Sequence, residues 1–104
     1  MKKTSPKEKR LYIIGAGFAG RTLAKEIKTK AIFGTVVAFL DDDPEKIGTK
    51  IDNIPVLGPI PDVAQLLQKE SADEAIIAFP SATQEFLAEL YGILKKNASD
   101  YYTL

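Results

Sequence analysis

Residues 10–43 read RLYIIGAGFAGRTLAKEIKTKAIFGTVVAFLDDD. An apolar run leads into Gly15-Ala16-Gly17-Phe18-Ala19-Gly20, an amphipathic stretch follows, and a second apolar run ends in three acids. A bare G-x-G-x-x-G carries little information, but in this order it predicts a strand, a tight turn, a helix and a second parallel strand. Gly15 suits the turn, Gly17 removes a side chain where a pyrophosphate would approach the backbone, and Gly20 lets helix and strand pack closely. The free N–H groups at the helix start and the helix dipole then favour an anion.

Asp41 lies 21 residues beyond Gly20, close to the ~20 expected for an acid that accepts hydrogen bonds from an adenosine ribose. Its charge would repel a 2′-phosphate, which favours NAD over NADP. The candidate ligand contacts are therefore Gly15, Ala16, Gly17, Phe18, Ala19, Gly20 and Arg21, with Asp41 and Asp42 at the end of the second strand. Arg21 suits either a phosphate contact or a solvated helix position. Asp42 and Asp43 also suit the start of the turn before Pro44, and adjacent acids on a strand end diverge too much to favour a metal ion.

Outward from this unit, Leu11 to Ile14 reads as a strand buried on both faces. Ala19, Leu23 and Ile27 mark the apolar stripe of a helix from Phe18 to about Lys28, and Val36 to Leu40 reads as the second strand. Asp52-Asn53 between Lys50-Ile51 and Ile54-Pro55-Val56 suggests a small hairpin or an irregular excursion. Pro61 suits an early position of a helix with Val63, Leu66 and Leu67 inward. Glu74 to Phe79 reads as a further strand. Ser81-x-x-Gln84 matches a capping box that opens a helix with Phe86, Leu87, Leu90 and Leu94 on its core side. Tyr101 to Leu104 begins another strand. The whole predicts an α/β, Rossmann-like open parallel sheet with helices on both faces, whose strand ends bring Gly15, Asp41 and Pro80 to one edge. Pro80 and Ser81 join the candidate lining there.

The 104 residues suffice for one core, and 14 basic residues balance 14 acidic ones. No overall attraction to nucleic acid or a membrane surface follows. Lys2, Lys3, Lys7, Lys9 and Arg10 crowd the amino terminus, where residues 1–9 read as a flexible solvated arm or a contact to anionic lipid; residues 10–104 form the domain. With neither cysteine nor histidine, the chain has no thiol nucleophile, disulfide, histidine base or thiolate zinc site. No apolar run approaches the ~20 residues of a membrane helix, and the amino terminus lacks a signal peptide's apolar core. Tyr91-x-x-x-Lys95 has the spacing of the short-chain dehydrogenase pair, but it falls too early after the glycine loop and only shares a helix face.

Gly15-Ala16-Gly17 with Gly20-Arg21, Phe39-Leu40-Asp41-Asp42-Asp43-Pro44, Gly48, Ile54-Pro55-Val56-Leu57-Gly58 and Glu74-Ala75-Ile76-Ile77-Ala78 carry a family resemblance over roughly residues 10 to 96. The chain resembles the nucleotide-binding, CoA-binding-like domain of CapD-like polysaccharide-biosynthesis proteins, which are nucleoside-diphosphate-sugar epimerases and dehydratases. The resemblance implies a non-catalytic module that binds NAD, a nucleoside-diphosphate sugar or CoA. It also implies a parent protein with adjacent membrane helices and a separate catalytic domain, at the cytoplasmic face of the inner membrane. A homo-oligomer is compatible with it. Related modules occur in membrane sugar-phosphate transferases and sugar acyltransferases, and two other readings remain open: the cofactor half of an oxidoreductase, and a redox-sensing NADH module.

Overall fold

The computed structural model describes residues 9–79, 82–97 and 99–104. Strand β1 (Arg10–Ile14) passes through the glycine turn into helix α1 (Phe18–Lys30), and β2 (Thr35–Leu40) returns parallel to β1. The short β3 (Lys50–Ile51) and β4 (Ile54–Gly58) form an antiparallel hairpin. Asp52 and Asn53 at its tip both have positive φ, 51° and 66°, as a tight two-residue hairpin turn requires. One 3₁₀ turn (Ile60–Asp62) leads into α2 (Val63–Lys69), then β5 (Glu74–Ile77), α3 (Gln84–Lys96) and β6 (Asp100–Thr103).

The described residues form a six-stranded sheet in the order β3-β4-β2-β1-β5-β6, parallel except for β3. The hairpin is thus more than an excursion, because β4 also pairs with β2 and supplies the third parallel strand. The chain moves outward from β1 to β2 and β4, then crosses back to β5 on the other side of β1. That reversal opens a crevice beyond the carboxyl ends of β1 and its neighbours.

Two cores sandwich the sheet. Leu11, Ile13, Phe39 and Val56 face α1, whereas Tyr12, Ile14, Leu40 and Ile77 face α2 and α3. The buried line of α1 is Gly20, Ala24 and Ile27, one position round from the expected Ala19 and Leu23, which lie at its margin. Small residues let the helix axis approach the strands, so they occupy the contact line while Leu23 flanks it.

Tyr12 is fully buried, and its hydroxyl donates to the carbonyls of Leu66, at 3.1 Å, and of Glu70. These groups end α2, where the Leu66 carbonyl also accepts from the Glu70 N–H at 2.8 Å. Burial, with the nearby Glu70 charge, pushes the phenol up to about 12. Lys9, counted with the arm in the sequence, is tied to the fold: its ammonium donates to Glu74 at 2.7 Å, and its carbonyl accepts from the Thr35 N–H at 2.8 Å. Among the described residues no helix is long and apolar enough to cross a membrane.

Candidate functional site

The glycine turn sits at the carboxyl end of β1, held on both sides. Gly15 N–H donates to the Leu40 carbonyl at 2.7 Å, and the Ala78 N–H donates to the Ile14 carbonyl at 2.8 Å. Gly15 has φ +114°, and a Cβ there would lie 2.9 Å from the Ala78 carbonyl oxygen. A Cβ on Gly20 would lie 1.9 Å from the carbonyl oxygen of Gly15, well inside van der Waals contact. Gly17 is different: nothing lies within 4 Å of its Cβ position.

Gly17 is also the N-cap of α1, with no side-chain cap and no acid in the first turn. The first helical hydrogen bond runs from Arg21 N–H to the Gly17 carbonyl at 3.0 Å, so the preceding N–H groups of the turn have no helical acceptor. Phe18 is 81% exposed and adds nothing to the core, whereas Ala16 is buried and Ala19 half-buried. Arg21 folds back, its Nε donating to the Gly17 carbonyl at 3.3 Å. That places one cation beside the loop.

The three acids each have separate work. Asp41 Oδ2 accepts from the Ala16 N–H of the glycine turn at 2.8 Å, and Oδ1 accepts from the Asp43 N–H at 2.9 Å. Lys46 Nζ lies 3.8 Å from Asp41 Oδ2. Asp41 therefore fixes the loop as well as facing the crevice; a carboxylate offers about four acceptor directions, so two remain. Asp42 does not start the turn before Pro44: its Oδ1 reaches across to the Ile60 N–H at 2.8 Å and secures the approach to α2. Asp43 does make that turn, accepting from the Glu45 N–H at 2.9 Å.

A cleft of ≈ 380 Å³ joins Gly15, Asp41 and Asp42 to Ile60, Phe79, Thr83 and Phe86. The last four are absent from the sequence-based set. Phe79 and Phe86 pack with ring centroids 5.8 Å apart and make one wall apolar. The position of Phe79 at the end of an apolar run near Pro80 is the signal that could have found it, since residues just beyond a parallel strand line this edge. Pro80 and Ser81 lie outside the described residues. The cap of α3 is Thr83, whose hydroxyl accepts from the Phe86 N–H at 3.1 Å, so the Ser81-x-x-Gln84 capping box does not form the start of this helix. Tyr91 is far from the glycine loop in role: its ring stacks on Tyr101 at 4.4 Å and its hydroxyl meets that of Thr103 at 2.7 Å.

This geometry, a β-turn-α unit with two pinned glycines and one open one, agrees with the matches to known proteins. Residues 3–103 match the CoA-binding domain family. The chain belongs to that family. Its relatives include the "Probable polysaccharide biosynthesis protein EpsC" of Bacillus subtilis, 35% identical over 83 residues, 79% of this chain and 14% of EpsC. The chain thus spans about one-seventh of that protein. A UDP-D-quinovosamine 4-dehydrogenase structure from Vibrio fischeri is 29% identical, with a TM-score of 0.77 over 93% of this chain and 78% of that one. RSP, a Rex-family repressor, shares the fold at 19% identity and a TM-score of 0.78, over 94% of this chain and 46% of its own. This member of the CoA-binding domain family is therefore a Rossmann-like nucleotide-binding domain related to polysaccharide-biosynthesis proteins.

Proposed function

We propose that this domain holds the diphosphate of a nucleotide, with NAD(H) the first candidate and a nucleoside-diphosphate sugar the second, and that chemistry belongs to other parts of a larger polysaccharide-biosynthesis protein. The observation that carries this reading is the open Gly17 at an uncapped helix start, beside two glycines that packing alone requires. A diphosphate would accept hydrogen bonds from the N–H groups of residues 17 to 20, with Arg21 adjacent. The remaining acceptor capacity of Asp41 would take ribose hydroxyls, and Asp42 would border them. The apolar wall of Phe79 and Phe86 suits a planar ring. Pro80 and Ser81 remain proposed lining by their sequence position.

No acid, base and nucleophile converge in the cleft among the described residues, which supports binding without turnover. A sugar nucleotide is the second candidate because the related Vibrio fischeri protein is named for a UDP-sugar. The proposed parent carries membrane helices and a catalytic domain beside this module, at the cytoplasmic membrane face.

Titration of ¹⁵N-labelled protein with NAD, UDP-sugar and CoA in parallel tests this. Saturable amide shifts at Gly15, Gly17, Gly20 and Asp41 are expected with NAD. Shifts with the UDP-sugar alone would replace the ligand, and a folded protein silent to all three would overturn the reading.

A further inference from the structure

The two edges of the sheet are built differently. Strand β3 has two residues and carries Lys50, and short charged edges of this kind resist pairing with another chain. Strand β6, DYYT, has neither lysine nor proline. Its pairing with β5 consumes the N–H groups of Asp100 and Leu104, which donate to the carbonyls of Asp73 and Ile77 at 3.0 and 2.8 Å. Because backbone groups alternate in direction along a strand, the N–H and C=O of Tyr101 and Thr103 point outward.

Beside this edge lies a groove of ≈ 770 Å³ on the α1 face, floored by Ile76 and walled by Leu23, Phe33, Tyr102 and Leu104. Phe33, Tyr102 and Leu104 are 56%, 55% and 68% exposed. Among the described residues the α1 face has one helix; β5 stays buried beneath it, whereas Tyr102 and Leu104 at the β6 edge are left exposed.

We infer that a second copy of this chain pairs with β6 in antiparallel fashion about a two-fold axis through Tyr102. The edge is self-complementary under that operation: Tyr101 faces Thr103 of the other copy, and each residue exchanges both backbone hydrogen bonds with its opposite. The axis is perpendicular to the sheet, so the two α1 faces remain on the same side. Tyr102 then meets its own equivalent at the close, non-hydrogen-bonded position, and the two apolar grooves become one. Asp100, the one charged side chain of the strand, falls opposite the Leu104 side chain, so no like-charged side chains oppose one another. With aromatic side chains covering 150–250 Å² each, the exposed parts of Ile32, Phe33, Tyr101, Tyr102 and Leu104 with the strand backbone offer roughly 500 Å² per copy. Complete burial of these parts in both copies would total about 1,000 Å², the lower bound for a specific interface. Tyr91 supports the strand from behind through its stack on Tyr101 and its bond to Thr103.

Sedimentation equilibrium of the full 104-residue chain, with hydrogen exchange, tests this without reference to nucleotide. The expected result is a species of twice 11.4 kDa, with slow exchange at the Tyr101 and Thr103 amides that speeds up on dilution. Tyr102→Lys places two like charges at the axis on an exposed side chain, and Thr103→Pro removes an outward donor. Each is expected to yield a monomer, with the melting temperature of Tyr102→Lys unchanged at concentrations where the parent chain is also monomeric. A wild-type monomer throughout, or a dimer that both variants retain, would overturn the inference. So would a monomer whose Tyr101 and Thr103 amides stay protected, which would indicate that another segment of the same chain covers the edge.

Discussion

Gly15 and Gly20 belong to a different kind of site from Gly17, although one motif contains all three. The first two are locked by neighbours: a Cβ would collide with the Ala78 carbonyl in one case and with the Gly15 carbonyl in the other. Gly17 faces open space at the start of α1, with φ −83° and ψ −163° that any residue can adopt. The difference teaches that a glycine fingerprint mixes residues the fold demands with a residue whose packing demands nothing, where the proposed ligand would act. Substitution can separate them.

The largest effect is expected at Gly20. Its Cβ would sit 1.9 Å from a backbone oxygen, so α1 must move off β1 and open the core around Ile13 and Ala24. Gly20→Ala is expected to cost more than about 3 kcal/mol, a fall in Tm of more than about 12 °C for a domain of this size. Gly15→Ala combines positive φ with a lesser clash and should follow closely. Thermal melts of the two variants check this, and a near-native Tm for Gly20→Ala would break the distinction at its root.

Asp41 tests whether the locked half of the loop depends on the acid beyond it. Asp41→Ala strands the part-buried Ala16 N–H, which its carboxylate now accepts at 2.8 Å, and an unsatisfied buried donor costs about 1–3 kcal/mol. Asp41→Asn keeps one oxygen acceptor and should recover part of the loss. If Asp41→Ala melts like the parent chain, the acid serves the ligand alone.

Tyr12 provides a control on the opposite face of the same strand. Tyr12→Phe removes the hydroxyl that ends α2 and is expected to cost about 1–2 kcal/mol. The folded phenol titrates near 12 against 10.0 ordinarily, so the fold favours the protonated form. Its contribution is complete below pH 10 and is lost as pH rises from about 10 toward 12. Urea melts across that window should weaken for the parent chain and show a smaller decline for Tyr12→Phe.

Much of this was legible in the sequence because β1, α1 and β2 carry local signals: apolar runs, helical spacing and glycines in a fixed frame. Reading failed where a residue's partner is distant. β4 looked like half of a hairpin, and only its pairing with β2 makes it a sheet strand. The four-residue spacing of Ala19, Leu23 and Ile27 predicts the α1 stripe; close packing keeps Ile27 but puts Gly20 and Ala24 on the contact line. Ser81-x-x-Gln84 fits a capping box, but the N-cap is Thr83 two residues later, and with Phe86 at the third helical position it caps without a box. Spacing marks Asp41 as a candidate site residue, but its bond to Ala16 depends on two strand ends meeting in space.

Gly17→Ala should have the smallest effect on stability and is the sharpest test of the comparison. Alanine caps a helix less well than glycine, a loss of a few tenths of a kcal/mol or more. It also narrows the unfolded ensemble at a conformation it adopts without strain, a gain of about 0.4–1 kcal/mol. The two nearly cancel, so Tm should shift by no more than about 4 °C for a net change within ~0.5 kcal/mol. A methyl group at the open position would nevertheless stand between the loop amides and a diphosphate, and a ~10-fold weaker nucleotide affinity corresponds to 1.4 kcal/mol. An unchanged Tm with weakened nucleotide shifts would separate ligand from fold at a single carbon, whereas unchanged binding would move the diphosphate away from this turn.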